Sequence, residues 1–227
     1  MKHLQTSISH AVHAARSSRA LVAALSMAAT VAMTGCASQP DRYYTLAATG
    51  AGAPAAASQA PQAGSAAPVF IELAPVAVPE RLARPQLVVQ KRGGTAEVQL
   101  LEQHRWSSSF ENELRDALAS GIAARLGAID VTKGGRQPSQ PAWRIAVQLR
   151  QFDAVEDTRV DAAFSWTVRR SDSDLSASCQ WSISEPVGAA GIDALAQGAQ
   201  RVTARAAEVI ARHVAALQVA PTAGCVR

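Results

Sequence analysis

The sequence predicts an α/β protein: a two-layer sandwich whose mixed, mostly antiparallel sheet carries two long helices on one face. Three observations lead there. Three successive segments between residues 143 and 184 alternate apolar and polar side chains with the period of a strand. Two other segments, 110–126 and 191–217, repeat apolar residues every three or four positions, the period of a helix. Two β-prone runs flank Gly93-Gly94, a hairpin signal. A sheet apolar on one face only is covered on that side only, and two amphipathic helices supply the cover.

The chain begins with a segment that is not part of this domain. Lys2, Arg16 and Arg19 are its only charged residues, and an apolar run from Ala20 to Met33 follows, broken by Ser26 and Thr30. That run is shorter than the ~20 residues a membrane-spanning helix needs. A basic start, a short apolar core and small residues at the end mark residues 1–35 as a signal peptide. Met33-Thr34-Gly35-Cys36 resembles the bacterial lipobox, which implies that Cys36 is diacylated, becomes the mature N-terminus and anchors the chain to a membrane. The usual leucine three residues before the cysteine is Met33 here.

Removing the leader changes the charge argument. The whole chain is formally +4; without Lys2, Arg16 and Arg19 the mature part is near +1. The basicity is that of a targeting segment and gives no reason to expect nucleic acid as a partner. His3, His10 and His13 also leave, so only His104 and His213 remain.

Residues 36–68 read as a lipid-anchored N-terminal segment. From Ala47 to Pro68 it is almost entirely Ala, Gly, Pro, Ser and Gln, too poor in apolar surface to offset the entropy of ordering it. Residues 69–227 read as one domain. Val69–Leu73 opens it as a short strand. Leu87–Gln90 and Ala96–Leu101 form the hairpin. Ser108 and Glu111 match a capping box, and Gly127 suits the position just past a helix end. Between them Phe110, Leu114, Leu118, Ile122 and Leu126 form one stripe, with Ala117 and Gly121 on the same face.

The meander follows. Trp143, Ile145, Val147 and Leu149 share one face; so do Val160, Ala162, Phe164, Trp166 and Val168; so do Leu175, Ala177, Cys179, Trp181 and Ile183. Polar turns at Glu156-Asp157 and 171–174 join them. The opposite face is rich in serine. The last helix runs from about Gly191 to Leu217, and His213 ends its apolar stripe as a core or boundary residue.

No constellation nominates chemistry. The sequence has no Gly-x-Ser-x-Gly, no His-Glu-x-x-His, no phosphate loop and no dinucleotide glycine pattern. Asp153, Glu156, Asp157 and Asp161 cluster at a hairpin turn without the ligand spacing of a calcium loop, and read as a solvated turn; Asp172 and Asp174 read likewise. The expectation is a protein that is not an enzyme, with no catalytic residue, metal or cofactor. Cys179 and Cys225 are the candidate disulfide, since both lie outside the cytoplasm once the leader is used; the alternative is a buried thiol and a frayed terminus. Val76-Ala-Val-Pro-Glu-Arg-Leu82, between Pro75 and Pro85, is the candidate partner-binding segment, with Val76, Val78, Pro79 and Leu82 as its contact residues. Proline is confined largely to sheet edges and loops. The alternative is that these side chains plug one end of the core. Tyr43 to Leu46 is expected to dock on the domain; the alternative is a wholly flexible tether.

Several motifs, in order, resemble those of the PqiC/YmbA-type lipoproteins, a family of ABC-type transport auxiliary lipoproteins. Asp41-Arg-Tyr-Tyr-Thr-Leu46 is similar to the Tyr-Tyr-x-Leu element after the lipidated cysteine. Val76–Leu82 followed by Pro85–Val89 is similar to the family's Val-x-Val-Pro-x-x-Leu segment and next strand. Arg105-Trp106 with Phe110–Arg115 is similar to its Trp-opened helix. The long Ala/Pro-rich insert and the two late cysteines depart from the pattern. The resemblance implies a non-enzymatic subunit of a trans-envelope lipid transport system that maintains the outer membrane. Its partners would be an MCE-domain (PqiB-like) protein and that protein's inner-membrane component, beside the membrane itself and a homo-oligomer. Ala37, rather than Asp, after Cys36 favours the outer membrane by the enteric sorting rule, with the inner membrane open. The other readings are a scaffold lipoprotein of another envelope complex and a secreted hydrolase; the lack of any catalytic motif weighs against the hydrolase.

Overall fold

A computed structural model describes residues 39–47, 68–94, 96–137 and 139–225. Its elements run β1 (Arg42–Tyr44), β2 (Phe70–Leu73), β3 (Gln86–Gln90), β4 (Val98–Trp106), α1 (Phe110–Leu126), β5 (Ile129–Asp130), β6 (Trp143–Val155), β7 (Arg159–Arg170), β8 (Ser176–Pro186) and α2 (Ile192–Val219). All eight strands join one open mixed sheet. The class expected from the sequence, an α/β sandwich with two helices on the apolar face, is the class found.

The meander forms because its three segments alternate without interruption over 11 to 13 residues. β6 pairs antiparallel with β7 along its length, with a register shift after Leu149, and β7 pairs antiparallel with β8. Trp143, Ile145, Val147, Leu149, Val160, Ala162, Phe164, Trp166 and Val168 are all buried. At the edge strand β8 only Cys179 is fully buried, and Trp181 and Ile183 are half-buried.

The other edge of β6 is shared. β2 pairs parallel with its start, Ile71 opposite Trp143, and β3 pairs parallel with its end, Val89 opposite Ala154. Between them the chain stays on the ladder as far as Ala77. Ala74 N–H donates to Ile145 O (2.9 Å), Ala77 N–H to Val147 O (3.1 Å), and Leu149 N–H to Ala77 O (2.8 Å). The chain then leaves the sheet at Val78, makes a 3₁₀ turn at Glu80–Leu82 and returns as β3. Pro79 and Pro85 flank this excursion; neither has the N–H that a ladder requires.

β3 and β4 are the Gly93-Gly94 hairpin, with both glycines at positive φ (100° and 72°), where a side chain would be strained. The α1 stripe of Phe110, Leu114, Leu118 and Ile122 is fully buried, and Leu126 is half-buried. α2, about 42 Å long at 1.5 Å per residue, buries Leu195, Ala199, Val202, Ala206, Val209 and His213. The helices cross closely: a Cβ on Gly121 would sit 2.9 Å from Ala207 Cβ.

One expectation changes. The cap of α1 is Ser109, not Ser108: Ser109 is extended and accepts from Asn112 N–H, while the Ser108 hydroxyl is turned to Glu113. Asp41–Arg227 forms one compact unit, because β1 pairs parallel with β4, Tyr44 opposite Trp106. The expected leader 1–35, the expected anchor Cys36, Ala37 and residues 48–67 lie outside the described residues. Among the described residues no helix is long and apolar enough to cross a membrane.

Candidate functional site

The face of the sheet opposite the helices carries Arg144, Ala146, Gln148 and Arg150 from β6, Ser165, Thr167 and Arg169 from β7, and Ser178 and Gln180 from β8. Small side chains hollow it. A groove of about 530 Å³ is lined by Pro75, Ala77 and Ala146 together with Gln148, Ser165, Thr167 and Ser178. It continues past Ala146 into a hollow of about 380 Å³ bounded by Glu72, Arg144 and Arg169. At the other end it continues past Gln148 into one of about 300 Å³ bounded by Val78, Pro79 and Arg150. Thr167 and Ser178 bond each other (2.9 Å) within it. Arg144 is held by Glu72 at 3.4 Å. Arg150 and Arg169 have no carboxylate partner among the described residues, so the groove presents net positive charge. It is open, with apolar backbone-facing positions and polar side chains interleaved along its length.

The apolar void between Leu87, Phe110, Phe152 and Leu195 is about 20 Å³, roughly the room of one water and far too small for an acyl chain.

The candidate partner-binding segment divides across this architecture. Val76 and Leu82 point into the core, 2 % and 5 % exposed. Val78 is half-buried against it. Pro75, Ala77, Val78 and Pro79 line the groove. Strand alternation along 75–77 sets this division, which the proline-flanked sequence pattern leaves unmarked.

A second feature joins the segment Arg42–Leu46 to both helices. Leu46 is 1 % exposed and belongs to the core, whereas Tyr43 is 62 % exposed. The buried carboxylate of Glu113 on α1 accepts from the Leu46 N–H (3.0 Å), from Thr45 Oγ1 (2.9 Å), and from the hydroxyls of Ser107 and Ser108. Burial alone would raise its pKa; these hydrogen bonds outweigh burial and hold it below the usual carboxylate range. On the other side the Tyr44 hydroxyl donates to Asp193 of α2 (2.7 Å). Its oxygen lies 2.8 Å from His104 Nδ1, which must then carry the proton and donate. Burial and the Asp193 hydrogen bond push the tyrosine up to about 12. Arg42 closes the cluster on Asp193 at 2.9 Å. Hydrogen exchange is the direct check: the amides of Leu46, bound to Glu113, and Ser107, bound to the Tyr44 carbonyl, are expected to exchange as slowly as those of β4. Exchange at the rate of an unstructured peptide would show the segment undocked.

The acidic turn considered as a cation site is occupied by arginines. Arg81 holds Asp153, Arg92 holds Asp157 and Arg159 holds Asp161, each at 2.8 Å; Arg170 holds Asp172 at 2.9 Å. Cys179 and Cys225 are joined, their Cα atoms 5.6 Å apart. Cys36 lies outside the described residues.

Fold and site together define a class: a two-layer α/β sandwich with an open groove on the bare face of its sheet and an N-terminal segment latched across both helices. The profile of the ABC-type transport auxiliary lipoprotein component matches residues 44–211, and the chain belongs to that family. Among solved structures, an uncharacterised protein is similar over 78 % of this chain and 99 % of its own, with a TM-score of 0.60 and 17 % identity. A Xanthomonas campestris protein of the DUF330 family is similar over 65 % of this chain and 84 % of its own, with a TM-score of 0.52 and 13 % identity. At such identity the likeness is one of fold. Among curated proteins none matches.

Proposed function

We propose that this chain is a non-enzymatic, lipid-anchored subunit of an MCE-type trans-envelope lipid transport system, working at the outer membrane to maintain its integrity. The observation that carries the reading is membership of a transport auxiliary lipoprotein family across residues 44–211. Two features support a binding role in particular: the groove is open and long enough to take a segment of another chain, and the apolar void beside Phe110 and Phe152 is too small for a lipid. The partner is an MCE-domain (PqiB-like) protein, which a segment of its chain joins to the groove at Ala77, Val78 and Pro79. An envelope scaffold with other partners is the reading to be separated from this one. Co-purification from membranes does so: the MCE protein is expected with the wild-type chain and lost with Ala77→Glu, and its absence from both would favour the scaffold.

Anchoring rests on Cys36. Each buried methylene contributes about 0.8 kcal/mol, so several acyl chains hold a protein on a bilayer almost permanently. Cys36→Ser is expected to abolish fatty-acid labelling and leave uncleaved precursor. Labelling at the wild-type level would remove the anchor from that residue.

A further inference from the structure

Behind the Cys179–Cys225 bond lies a buried relay that the binding role does not use. His213, 0 % exposed on α2, receives the Trp166 indole N–H on Nδ1 at 2.9 Å. Indole nitrogen only donates, so Nδ1 carries no proton and the ring's single proton sits on Nε2. Burial, which disfavours the charged imidazole, agrees with this. Nε2 lies 3.5 Å from Cys179 Sγ, within reach of an N–H···S hydrogen bond. The two sulfurs therefore sit in unlike places. Cys179 is buried on the helix-facing side of β8 with a fixed donor beside it; Cys225 is exposed, in the tail after α2.

Thiol–disulfide exchange depends on which sulfur can be reached and on which leaves better as a thiolate. Access favours attack on Cys225. Burial alone would make Cys179 a poor leaving group, and the Nε2–H donor offsets that by stabilising the departing thiolate. We propose that Cys225 is a thiol-modification site, at which a small thiol opens the bond with Cys179 as the leaving sulfur. The attacking thiol first loses its proton to solvent. Its sulfur bonds Cys225 Sγ as the Cys225–Cys179 bond breaks, and the electron pair departs on Cys179 Sγ, which is then protonated from solvent. No external oxidant is consumed: one disulfide replaces another. The product frees residues 220–225 from β8, and return attack by Cys179 on the mixed disulfide restores the clasp. His213 is here a positioning residue, acting through the sulfur it faces.

The test treats the folded, oxidised mature protein with reduced glutathione, quenches with acid, alkylates free thiols and maps both by peptide mass. Glutathione on Cys225 with the alkyl group on Cys179 is expected in at least about tenfold excess over the reverse. An even distribution, glutathione mainly on Cys179, or no adduct short of unfolding would overturn the proposal. The role of His213 is read from the exchange rate: His213→Leu is expected to slow it about tenfold, and His213→Gln, which keeps a donor near the Nε2 position, to restore most of it. Equal rates in all three would remove His213 from the scheme. If His213→Leu fails to fold, the wild-type adduct map and the Gln variant still decide.

Discussion

Leu82→Glu is expected to unfold the domain. Leu82 is 5 % exposed in the core cluster, and truncating such a leucine costs about 2–5 kcal/mol. A carboxylate in its place adds the cost of an unpaired charge in apolar surroundings, several kcal/mol more. The sum is comparable with the whole stability of a domain, about 5–15 kcal/mol. Ala77→Glu, five residues earlier, is expected to behave oppositely. Ala77 faces the groove, and its N–H and carbonyl remain bonded to β6 whatever its side chain. A surface change of this kind usually stays within about 0.5 kcal/mol. Urea unfolding followed by circular dichroism separates the two: a lost or strongly lowered midpoint for Leu82→Glu, a near-wild-type midpoint for Ala77→Glu. A stable, folded Leu82→Glu protein would mean that the 78–85 excursion is not part of the core.

Glu113→Ala is expected to cost about 2–3 kcal/mol, the range for hydrogen bonds to a charged group that leave a buried donor unsatisfied. The orphaned donor is the Leu46 N–H; the three hydroxyls can turn elsewhere. For a domain of this size that corresponds to a fall in Tm of about 4–12 °C. The same carboxylate gives the protein an acid limit. Its folded pKa is lowered, so its contribution to stability is present above the unfolded glutamate value and is lost as pH falls through the lower folded one. The wild type should therefore lose stability faster on acidification than Glu113→Ala, and the two melting temperatures should converge at low pH. Parallel curves would mean that Glu113 is not the acceptor that latches Thr45 and Leu46.

Much of this architecture was legible because it repeats. Period-two alternation in β6, β7 and β8 and period-four stripes in α1 and α2 expose which face is buried, and hydrophobic burial then dictates a covered and a bare side. The polar turns and Gly93-Gly94 set the antiparallel hairpins, because neighbouring antiparallel strands need only local chain reversal. The family motifs at Tyr43–Leu46, Val76–Leu82 and Arg105–Arg115 likewise stand in the sequence.

What the sequence did not disclose is whatever depends on partners far along the chain. β1 is three residues long and β5 two; no periodicity marks them, and each exists only because β4 or β2 offers an edge. The parallel seating of β2 and β3 on one side of β6 is set by the core they close together, which is why Val76 and Leu82 turn inward while Ala77 and Pro79 reach the groove. Glu113 looks in sequence like any acid in a first helical turn. Its four donors, and the Trp166–His213–Cys179 relay, arise from side chains up to 68 and 47 residues apart. The sequence by itself determined the class and the layers, since those follow from local patterns of apolarity. Tertiary structure alone decided the groove, the latch and the environment of each sulfur, since burial and hydrogen-bond geometry are properties of contacts between segments that the chain keeps far apart.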